Sequence, residues 1–402
     1  MPPGPHDTTI TKLLQRYPSQ RLILFDQIEG AANVQEDRKD DAKDSVVRKR
    51  TIEWCVPRNR IFMAIYSDFS LIEASCTPVH HSYQLQFTNM SPQVYRYVEG
   101  LYNSVYFIDE NLRSALQYRP QPNDLFIVSY PKCGTTWLQY LVYNIFTEGV
   151  PPEDMEEFLA RSVFLEYTGA QSVEKMCRPG SIKTHFPFSR HKYSKLAKYL
   201  YIARNPYDCC VSFYYHTKSF PAYFFENGTF IEFFDMFLQG KVDNGDYFNN
   251  LLSWYDHRHD PNVLFLTYEC LKRDTESWVI KIADFIGKEY GAKLRRDADV
   301  VKKIMQMSSM ETMRKVFSRA HDILDEAGLS VYKNSKNPSR PLEESVLTAM
   351  KKPMSGDYIR KGIVGDWKNH FSKEQVVRMK SWIALRTAGS DVMKLWRDED
   401  LP

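Results

Sequence analysis

The sequence lacks an excess of charge of either sign. Its 402 residues include 53 lysine and arginine residues against 50 aspartate and glutamate residues, so the formal net charge is only +3. Proteins that bind nucleic acid or membranes through a global field carry a larger charge imbalance. The composition therefore excludes nucleic acid as the main partner, and any anion-binding site has to be local.

The sequence also lacks a long apolar run. Residues 1–18 contain no charged segment followed by an apolar one, so we predict no secretory signal. The most apolar early stretch, residues 61–76, is interrupted by four polar residues, whereas spanning a bilayer takes roughly 20 apolar residues. We therefore predict no membrane anchor and no membrane partner.

No two cysteines form a CxxC pair. The cysteines are odd in number and lie scattered through segments that the pattern predicts to be buried: Cys55, Cys76, Cys133, Cys177, Cys209, Cys210 and Cys270. Cysteines in this arrangement are typical of a reducing compartment. We therefore predict a cytoplasmic protein.

Periodicity divides the chain into two parts. Residues 1–90 show little periodicity and include a charge-dense run at residues 36–44, so we predict a poorly ordered N-terminal extension. A regulatory extension, an unfolded tail and a wrongly predicted exon all remain open for it. In residues 91–402, short apolar runs alternate with longer amphipathic ones, which is typical of βαβ units in one domain.

Three units of this domain read as a strand followed by a helix. They are residues 125–130 with 136–147, 199–203 with 208–216, and 262–268 with 275–287. Alternating strands and helices favour a parallel sheet with helices on its faces. We predict an α/β fold with a central, mostly parallel sheet flanked by helices, in which the first unit is a P-loop-like strand, loop and helix.

The loop of the first unit carries the motif YPKCGTTW at residues 130–137. A glycine-containing loop between a strand and a helix presents backbone N–H groups to an anion, with the helix dipole behind them. Gly134 allows close approach, Thr135 and Thr136 add hydroxyl donors, and Lys132 adds a positive charge. The lysine precedes the glycine, so the motif is not a Walker A sequence. An ordinary tight turn is the alternative.

Two further motifs carry candidate catalytic and binding residues. In GSIKTHFP, residues 180–187, Lys183 and His185 lie two apart and share a face of a strand. Histidine is a suitable general base near neutral pH, although a satisfied core histidine is the commoner case, and only the company of the other motifs favours His185. In ARNPYDCCVS, residues 203–212, Arg204 ends a strand and Ser212 lies two helical turns further on. Arginine at that point binds phosphate in open α/β sheets, or forms a surface salt bridge.

A fourth motif, RKGIVGDWKNHF, lies at residues 360–371. Its adjacent cations Arg360 and Lys361, followed by Gly362, predict a flexible basic loop that folds over a second phosphate. A solvated loop is the alternative for such a charge pair.

In this order, the four motifs closely resemble those of the cytosolic sulfotransferase family. The resemblance covers residues 91–402 and implies the sulfuryl donor 3′-phosphoadenosine 5′-phosphosulfate (PAPS), with no metal. It assigns catalytic roles to His185 as general base and to Lys132 and Lys183 as charge stabilisers. By position, the residues that resemble the family's donor-binding set are Lys132, Cys133, Gly134, Thr135, Thr136, Trp137, Arg204, Ser212, Tyr268, Ser308, Met310, Arg360, Lys361 and Gly362.

Within this set the resemblance implies a division of labour. Residues 132–136 hold the 5′-phosphosulfate, and Trp137 stacks on adenine near Tyr268, Ser308 and Met310. Arg204, Ser212 and residues 360–362 hold the 3′-phosphate, and Ser212 also engages Lys132 or that phosphate when part of the substrate set is bound.

The chain departs from the family at three places. Cys133 stands where the family often has serine, and Met310 stands where it usually has an aromatic ring. The short dimerisation pattern of many relatives falls at residues 368–377, which lack its Thr-Val pair and final glutamate. A homodimer is possible, but its usual motif is not recognisable.

We predict that the acceptor is a small aromatic or hydrophobic molecule that carries a hydroxyl or an amine. Aromatic residues that either line its pocket or fill the core are Phe186, Phe188, Tyr214, Tyr215, Tyr223, Phe224 and Phe225. Two other classes stay open. A kinase needs a Walker lysine and an acidic Mg²⁺ ligand, and a non-catalytic nucleotide-binding protein has no need of His185 beside Lys183.

Overall fold

The computed structural model describes residues 94–318 and 344–402, together with three strands nearer the N-terminus. The chain divides into two compact units, Met1–Phe87 and Thr88–Pro402. In the first unit, β1 (Arg21–Phe25), β2 (Phe62–Ser67) and β3 (Ser70–Ser75) form an antiparallel sheet in that order. The rest of the predicted extension, including the charged run at residues 36–44, lies outside the described residues.

The second unit is built on a five-stranded sheet in which every pairing is parallel. Its strands are β6 (Leu125–Val128), β7 (Ser162–Phe164), β8 (Ser181–Thr184), β9 (Lys198–Ala203) and β10 (Val263–Thr267), in the order β10-β9-β6-β8-β7. A separate antiparallel hairpin joins β4 (Tyr95–Val98) to β5 (Leu101–Ser104). The predicted central parallel sheet is confirmed.

Helices connect the strands of this sheet. In chain order they are α1 (Asp109–Gln117), α2 (Thr135–Phe146), α3 (Met155–Arg161), α4 (Leu165–Thr168), α5 (Ala170–Glu174), α6 (Pro206–Ser219), α7 (Phe230–Leu238), α8 (Tyr247–Tyr255), α9 (Tyr268–Arg273), α10 (Thr275–Ile286), α11 (Lys288–Arg296), α12 (Ala298–Met307), α13 (Met310–Val316), α14 (Glu344–Met350) and α15 (Lys373–Arg386). Short 3₁₀ helices occur at Phe188–Arg190, Pro221–Tyr223, Asp366–Asn369 and Val392–Trp396.

The sheet separates two hydrophobic cores. In β6, Phe126 and Val128 belong to one core, whereas Leu125 and Ile127 belong to the other. Successive side chains of a strand point to opposite faces, so a strand that is apolar at every position needs a core on each side. The apolar run that identified this strand in the sequence is therefore explained by burial on both faces.

The boundaries differ from the predicted ones by a few residues. The third strand ends at Thr267 rather than at residue 268, because the Thr267 side chain accepts a hydrogen bond from the backbone N–H of Cys270 and begins α9. Helix α6 continues to Ser219, three residues beyond its predicted end. The earlier end of the third strand places Tyr268 at the first position of a helix instead of the last position of a strand.

Candidate active site

A cavity of about 430 Å³ lies beyond the carboxyl ends of the central strands. The predicted site residues that line it are Lys132, Gly134, Thr135, Thr136, Trp137, Lys183, His185, Arg204, Ser212, Tyr268, Met310, Arg360, Lys361 and Gly362. Parallel strands end at the same edge of a sheet, which brings motifs far apart in sequence to one place. Cys133 and Ser308 are the two predicted residues that do not line it.

The loop between β6 and α2 forms one end of the cavity, which we name the donor end together with Lys183 and Arg204. Gly134 has a φ of +103°, and a Cβ there would lie 2.7 Å from Cδ2 of Tyr268. Gly134 also precedes α2 without a side-chain cap, so the first N–H groups of the helix have no side-chain acceptor. An anion is the natural ligand at such a position.

Cys133 faces away from this cavity. It is 1% exposed, and its Sγ lies 3.8 Å from Sγ of Cys209 in the core. Only its backbone belongs to the loop, so the predicted binding role does not extend to its side chain. A cysteine suits this position because its side chain packs against other apolar groups.

Lys132 lies in the donor end of the cavity. Its Nζ lies 3.4 Å from Nδ1 of His216 and 5.7 Å from the centre of the Tyr358 ring. Burial, and then the positive charges of Lys183, Arg204 and Arg360, lower the pKa of Lys132 to about 7. A lysine in this setting favours an anionic ligand, because an anion offsets the repulsion among the cations.

Sequence reasoning missed His216. It follows Ser212 by four residues on α6, so the two side chains occupy the same face of the helix, and both line the cavity. The spacing of Ser212 and His216 was visible in the sequence. His216 becomes a candidate site residue only because the structure places it beside Lys132. The expected contact of Ser212 with Lys132 or a phosphate stays a prediction.

His185 follows β8 and is held by three backbone contacts. Its Nδ1 lies 2.8 Å from the carbonyl oxygen of Ser129, its carbonyl accepts a 2.7 Å hydrogen bond from the Asn250 amide, and its backbone N–H donates to Glu166. Because a carbonyl only accepts, Nδ1 carries the proton and Nε2 keeps its lone pair. Burial, and then the charge of Lys183, lower the pKa of His185 to about 3, so the ring is neutral near pH 7.

Lys183 and His185 point to the same side, as their spacing predicted. Both contact the ring of Phe164, which lies 4.0 Å from Nζ of Lys183 and 5.3 Å from the imidazole, measured between centres for the two rings. A neutral base therefore lies beside a cation in the cavity. That combination suits removal of a proton next to a bound anion.

Arg204 follows β9 and is almost fully buried, at 6% exposure. It donates to the carbonyls of Ile363 at 2.9 Å and Lys132 at 3.4 Å, and its guanidinium lies 4.4 Å from the centre of the Tyr268 ring. Within the part of the chain that the structure describes, Arg204 forms no salt bridge, and its buried Nε has no hydrogen-bond partner. The surface salt bridge considered as an alternative is therefore not formed with any described residue, and a buried guanidinium of this kind fits an anion.

The basic loop at residues 360–362 is held by an acid that sequence reasoning missed. Arg360 and Lys361 donate to the buried carboxylate of Asp366 at 2.6 Å and 2.8 Å. Burial acts to raise the pKa of Asp366, but the hydrogen bonds from Lys361 and Arg360 outweigh it and hold the pKa well below its usual value. Arg314 also donates to the carbonyl of Arg360 at 2.8 Å. These hydrogen bonds restrain the basic loop that the sequence predicted.

The residues that the sequence predicted to contact adenine lie close together. Trp137 donates its indole N–H to the carbonyl of Ser308 at 3.0 Å, and its ring meets that of Tyr268 edge-on at 5.3 Å. Met310 lies against Gly362, where a Cβ would be 2.3 Å from its Sδ. Ser308 thus contacts Trp137 through its carbonyl instead of lining the cavity, and its buried Oγ has no partner among the described residues.

A second part of the cavity wall, named here the acceptor end, is mostly aromatic. It comprises Tyr106, Phe107, Tyr167, Phe220, Tyr223, Asp243 and Asn244. Of the aromatic residues that the sequence suggested, only Tyr215 and Tyr223 line the cavity. Phe186 and Phe225 are buried in the core instead.

Residues 94–318 and 344–402 contain no group of three or more histidine, cysteine or acidic side chains arranged to bind a metal ion. In the same part of the chain, no helix has the length and apolar character needed to cross a bilayer.

Known proteins match this chain over most of its length. The family model described as a sulfotransferase domain matches residues 122–396. Sulfotransferase 1C2 of Oryctolagus cuniculus is 31% identical over 294 residues, which cover 71% of this chain and 89% of that protein. Sulfotransferase 1E1 of Homo sapiens is 31% identical over 268 residues, covering 63% and 80%. The crystal structure of mouse sulfotransferase SULT7A1 complexed with PAP superposes with a TM-score of 0.54 at 23% identity, covering 76% and 98%, and shows the same fold.

Proposed function

Because the chain belongs to the sulfotransferase family, we propose that it transfers the sulfuryl group of PAPS to a hydroxyl or amine of a small aromatic or hydrophobic acceptor. One observation carries the proposal: the uncapped start of α2, the unpaired Nε of Arg204 and the neutral imidazole of His185 line one cavity. We further propose that residues 91–402 form the catalytic domain and residues 1–90 an extension to it.

The donor end fits a nucleotide with anions at two places. The loop at residues 132–136 would hold the 5′-phosphosulfate, because backbone N–H groups, two hydroxyls and Lys132 converge there. Arg204 would hold the 3′-phosphate through its unpaired Nε, with Ser212 and residues 360–362 beside it. Adenine would lie against Trp137 and Tyr268, near Met310.

His185 would act as the general base. Its Nε2 takes the proton of the acceptor hydroxyl while the acceptor oxygen forms a bond to sulfur and the bond between sulfur and the 5′-phosphate oxygen breaks. Lys132 and Lys183 offset the negative charge on the oxygens around sulfur and on the leaving phosphate. The carbonyl of Ser129 keeps the His185 proton on Nδ1, so Nε2 stays available.

Sulfuryl transfer is expected to continue without divalent metal. The lysine pair and the backbone donors supply the positive charge that Mg²⁺ supplies in kinases. We expect transfer from PAPS to a simple phenol in excess EDTA to stay within about twofold of the untreated rate. In the control assay, ATP and Mg²⁺ replace PAPS as the donor. Activity that collapses in EDTA and returns with Mg²⁺ contradicts the proposal, and binding without turnover favours a non-catalytic protein.

Nucleotide affinity is expected to fall as the pH rises above 7. A bound anion favours the charged form of Lys132, so binding raises the lowered pKa of about 7 and takes up a proton. We expect the dissociation constant of adenosine 3′,5′-bisphosphate, the desulfated product, to increase by up to about tenfold per pH unit between pH 7 and 9. Calorimetry in buffers of different ionisation enthalpy measures the proton uptake.

The control for this experiment is Lys132→Met. The variant keeps the length of the side chain but cannot titrate, so its affinity is expected to be lower and nearly independent of pH in the same range. An unchanged slope in Lys132→Met contradicts the assignment to this lysine.

A further inference from the structure

Asp243 is a buried acid at the acceptor end of the cavity. It lies between α7 and α8, is 3% exposed, and lines the cavity with Tyr223. Its carboxylate accepts hydrogen bonds from the backbone N–H of Ser104 at 2.5 Å, from the Ser104 hydroxyl at 3.2 Å and from the Tyr223 hydroxyl. All three donors are neutral, so they orient the carboxylate without cancelling its charge.

No cation pairs with Asp243 in the described part of the chain. The guanidinium of Arg96 contributes an electrostatic attraction, but it donates its hydrogen bonds to Asp109 and to the carbonyls of Ser104 and Phe107. Burial raises the pKa of Asp243, as expected for an acid whose negative charge is incompletely compensated. A buried carboxylate of this kind is stabilised by a ligand that brings a positive charge.

The aromatic side chains that line the cavity with Asp243 also suit a positively charged ligand. The ring of Tyr106 stacks on that of Tyr167 at 5.0 Å between centres, meets Phe220 edge-on at 6.1 Å and lies 6.4 Å from Tyr223. Aromatic faces attract cations and accommodate flat rings. The cavity is therefore polarised, with three cations at the donor end and a carboxylate among aromatic rings at the acceptor end.

We infer that the acceptor is a hydroxylated aromatic compound with a protonated amine, and that Asp243 and Tyr223 bind its ammonium group. The inference rests on the proposed function and narrows it. A protonated amine has no lone pair, so the group that binds at Asp243 cannot attack sulfur. The hydroxyl at the far end of the acceptor therefore takes the sulfuryl group, with His185 as its base.

Two phenols of the same shape test the inference. Tyramine carries an ammonium group, and 4-propylphenol carries a methyl group in its place. We expect Asp243→Asn, which keeps the size of the side chain and removes its charge, to lower kcat/KM for tyramine by about tenfold to a hundredfold. For 4-propylphenol we expect kcat/KM to change less than about threefold, since the aromatic walls are intact.

Asp357→Asn is the matched control. Asp357 is an exposed acid that lines the same cavity, and its replacement is expected to leave the ratio of the two kcat/KM values unchanged. An equal loss for both phenols in Asp243→Asn indicates a structural role for Asp243 and overturns the inference. Transfer to neither phenol by the wild-type protein contradicts the proposed function as well, so the two failures are distinguishable.

Inhibition of the wild-type protein tests the same site without a variant. 2-Phenylethylamine has the ammonium group but no hydroxyl, and propylbenzene has neither. We expect 2-phenylethylamine to inhibit sulfation of 4-propylphenol at concentrations at least about tenfold lower than propylbenzene. Equal inhibition by both compounds overturns the inference even if Asp243→Asn does not fold.

Discussion

His185→Ala is expected to abolish sulfuryl transfer, with kcat about a thousandfold lower, while nucleotide binding stays close to that of the wild type. A positioned general base contributes roughly 10² to 10⁴ in rate, and the loss of the His185 ring removes the neutral Nε2 that faces the cavity. Burial and Lys183 hold the pKa of His185 at about 3, so the wild type is not expected to lose activity between pH 7 and 6 through protonation of this ring.

Single-turnover sulfation measures the rate, and calorimetry with adenosine 3′,5′-bisphosphate measures binding. His257→Ala is the matched control, because His257 is partly exposed, pairs with Asp260 and does not line the cavity. Its kcat is expected to be unchanged. If His185→Ala turns over at the wild-type rate, the base is a different group. If it loses binding to the same extent as turnover, the loss comes from disruption of the site.

Arg204→Ala is expected to lower the affinity for adenosine 3′,5′-bisphosphate by about a hundredfold and to change the affinity for AMP less than about threefold. Hydrogen bonds to charged groups contribute roughly 1.5 to 3 kcal/mol, and the unpaired Nε of Arg204 is in place to form one with the 3′-phosphate. AMP lacks that phosphate, so the comparison separates the proposed contact from a general loss of stability.

Two variants complete the comparison. Arg204→Lys keeps the charge without the planar donor group, and we expect an intermediate loss. Arg258→Ala removes an arginine that lies over the ring of Tyr255, outside the cavity, and is expected to bind both nucleotides normally. Equal losses for AMP and the bisphosphate in Arg204→Ala assign Arg204 to the structure of the loops rather than to the 3′-phosphate.

The donor end was largely predictable because its signals are local in sequence. The apolar run before residue 130 predicted a strand, and the end of that strand placed Lys132 and Gly134 at the edge of the sheet. Lys183 and His185 shared a face because side chains on a strand alternate. Each of these inferences needed only a few neighbouring residues.

The partners of the motifs were not predictable in the same way. Lys132 meets His216 across 84 residues, and Asp208 accepts backbone hydrogen bonds from Gly365 and Trp367 across more than 150 residues. Asp243 contacts Ser104 across 139 residues. Such pairings depend on how helices and loops pack on the sheet, which periodicity does not specify. The acceptor end also depends on such pairings, for example those of Tyr106 with Tyr167 and Phe220.

The clamp of Asp366 on Arg360 and Lys361 has a consequence for turnover. These cations already hold a carboxylate, so a phosphate that arrives there replaces existing bonds instead of satisfying bare charges. When the phosphate dissociates, Asp366 pairs again with Arg360 and Lys361. The two positive charges therefore stay paired, and the loop stays folded. We expect this exchange to lower the barrier to dissociation of the spent nucleotide, the step that sets the rate in many well-evolved enzymes.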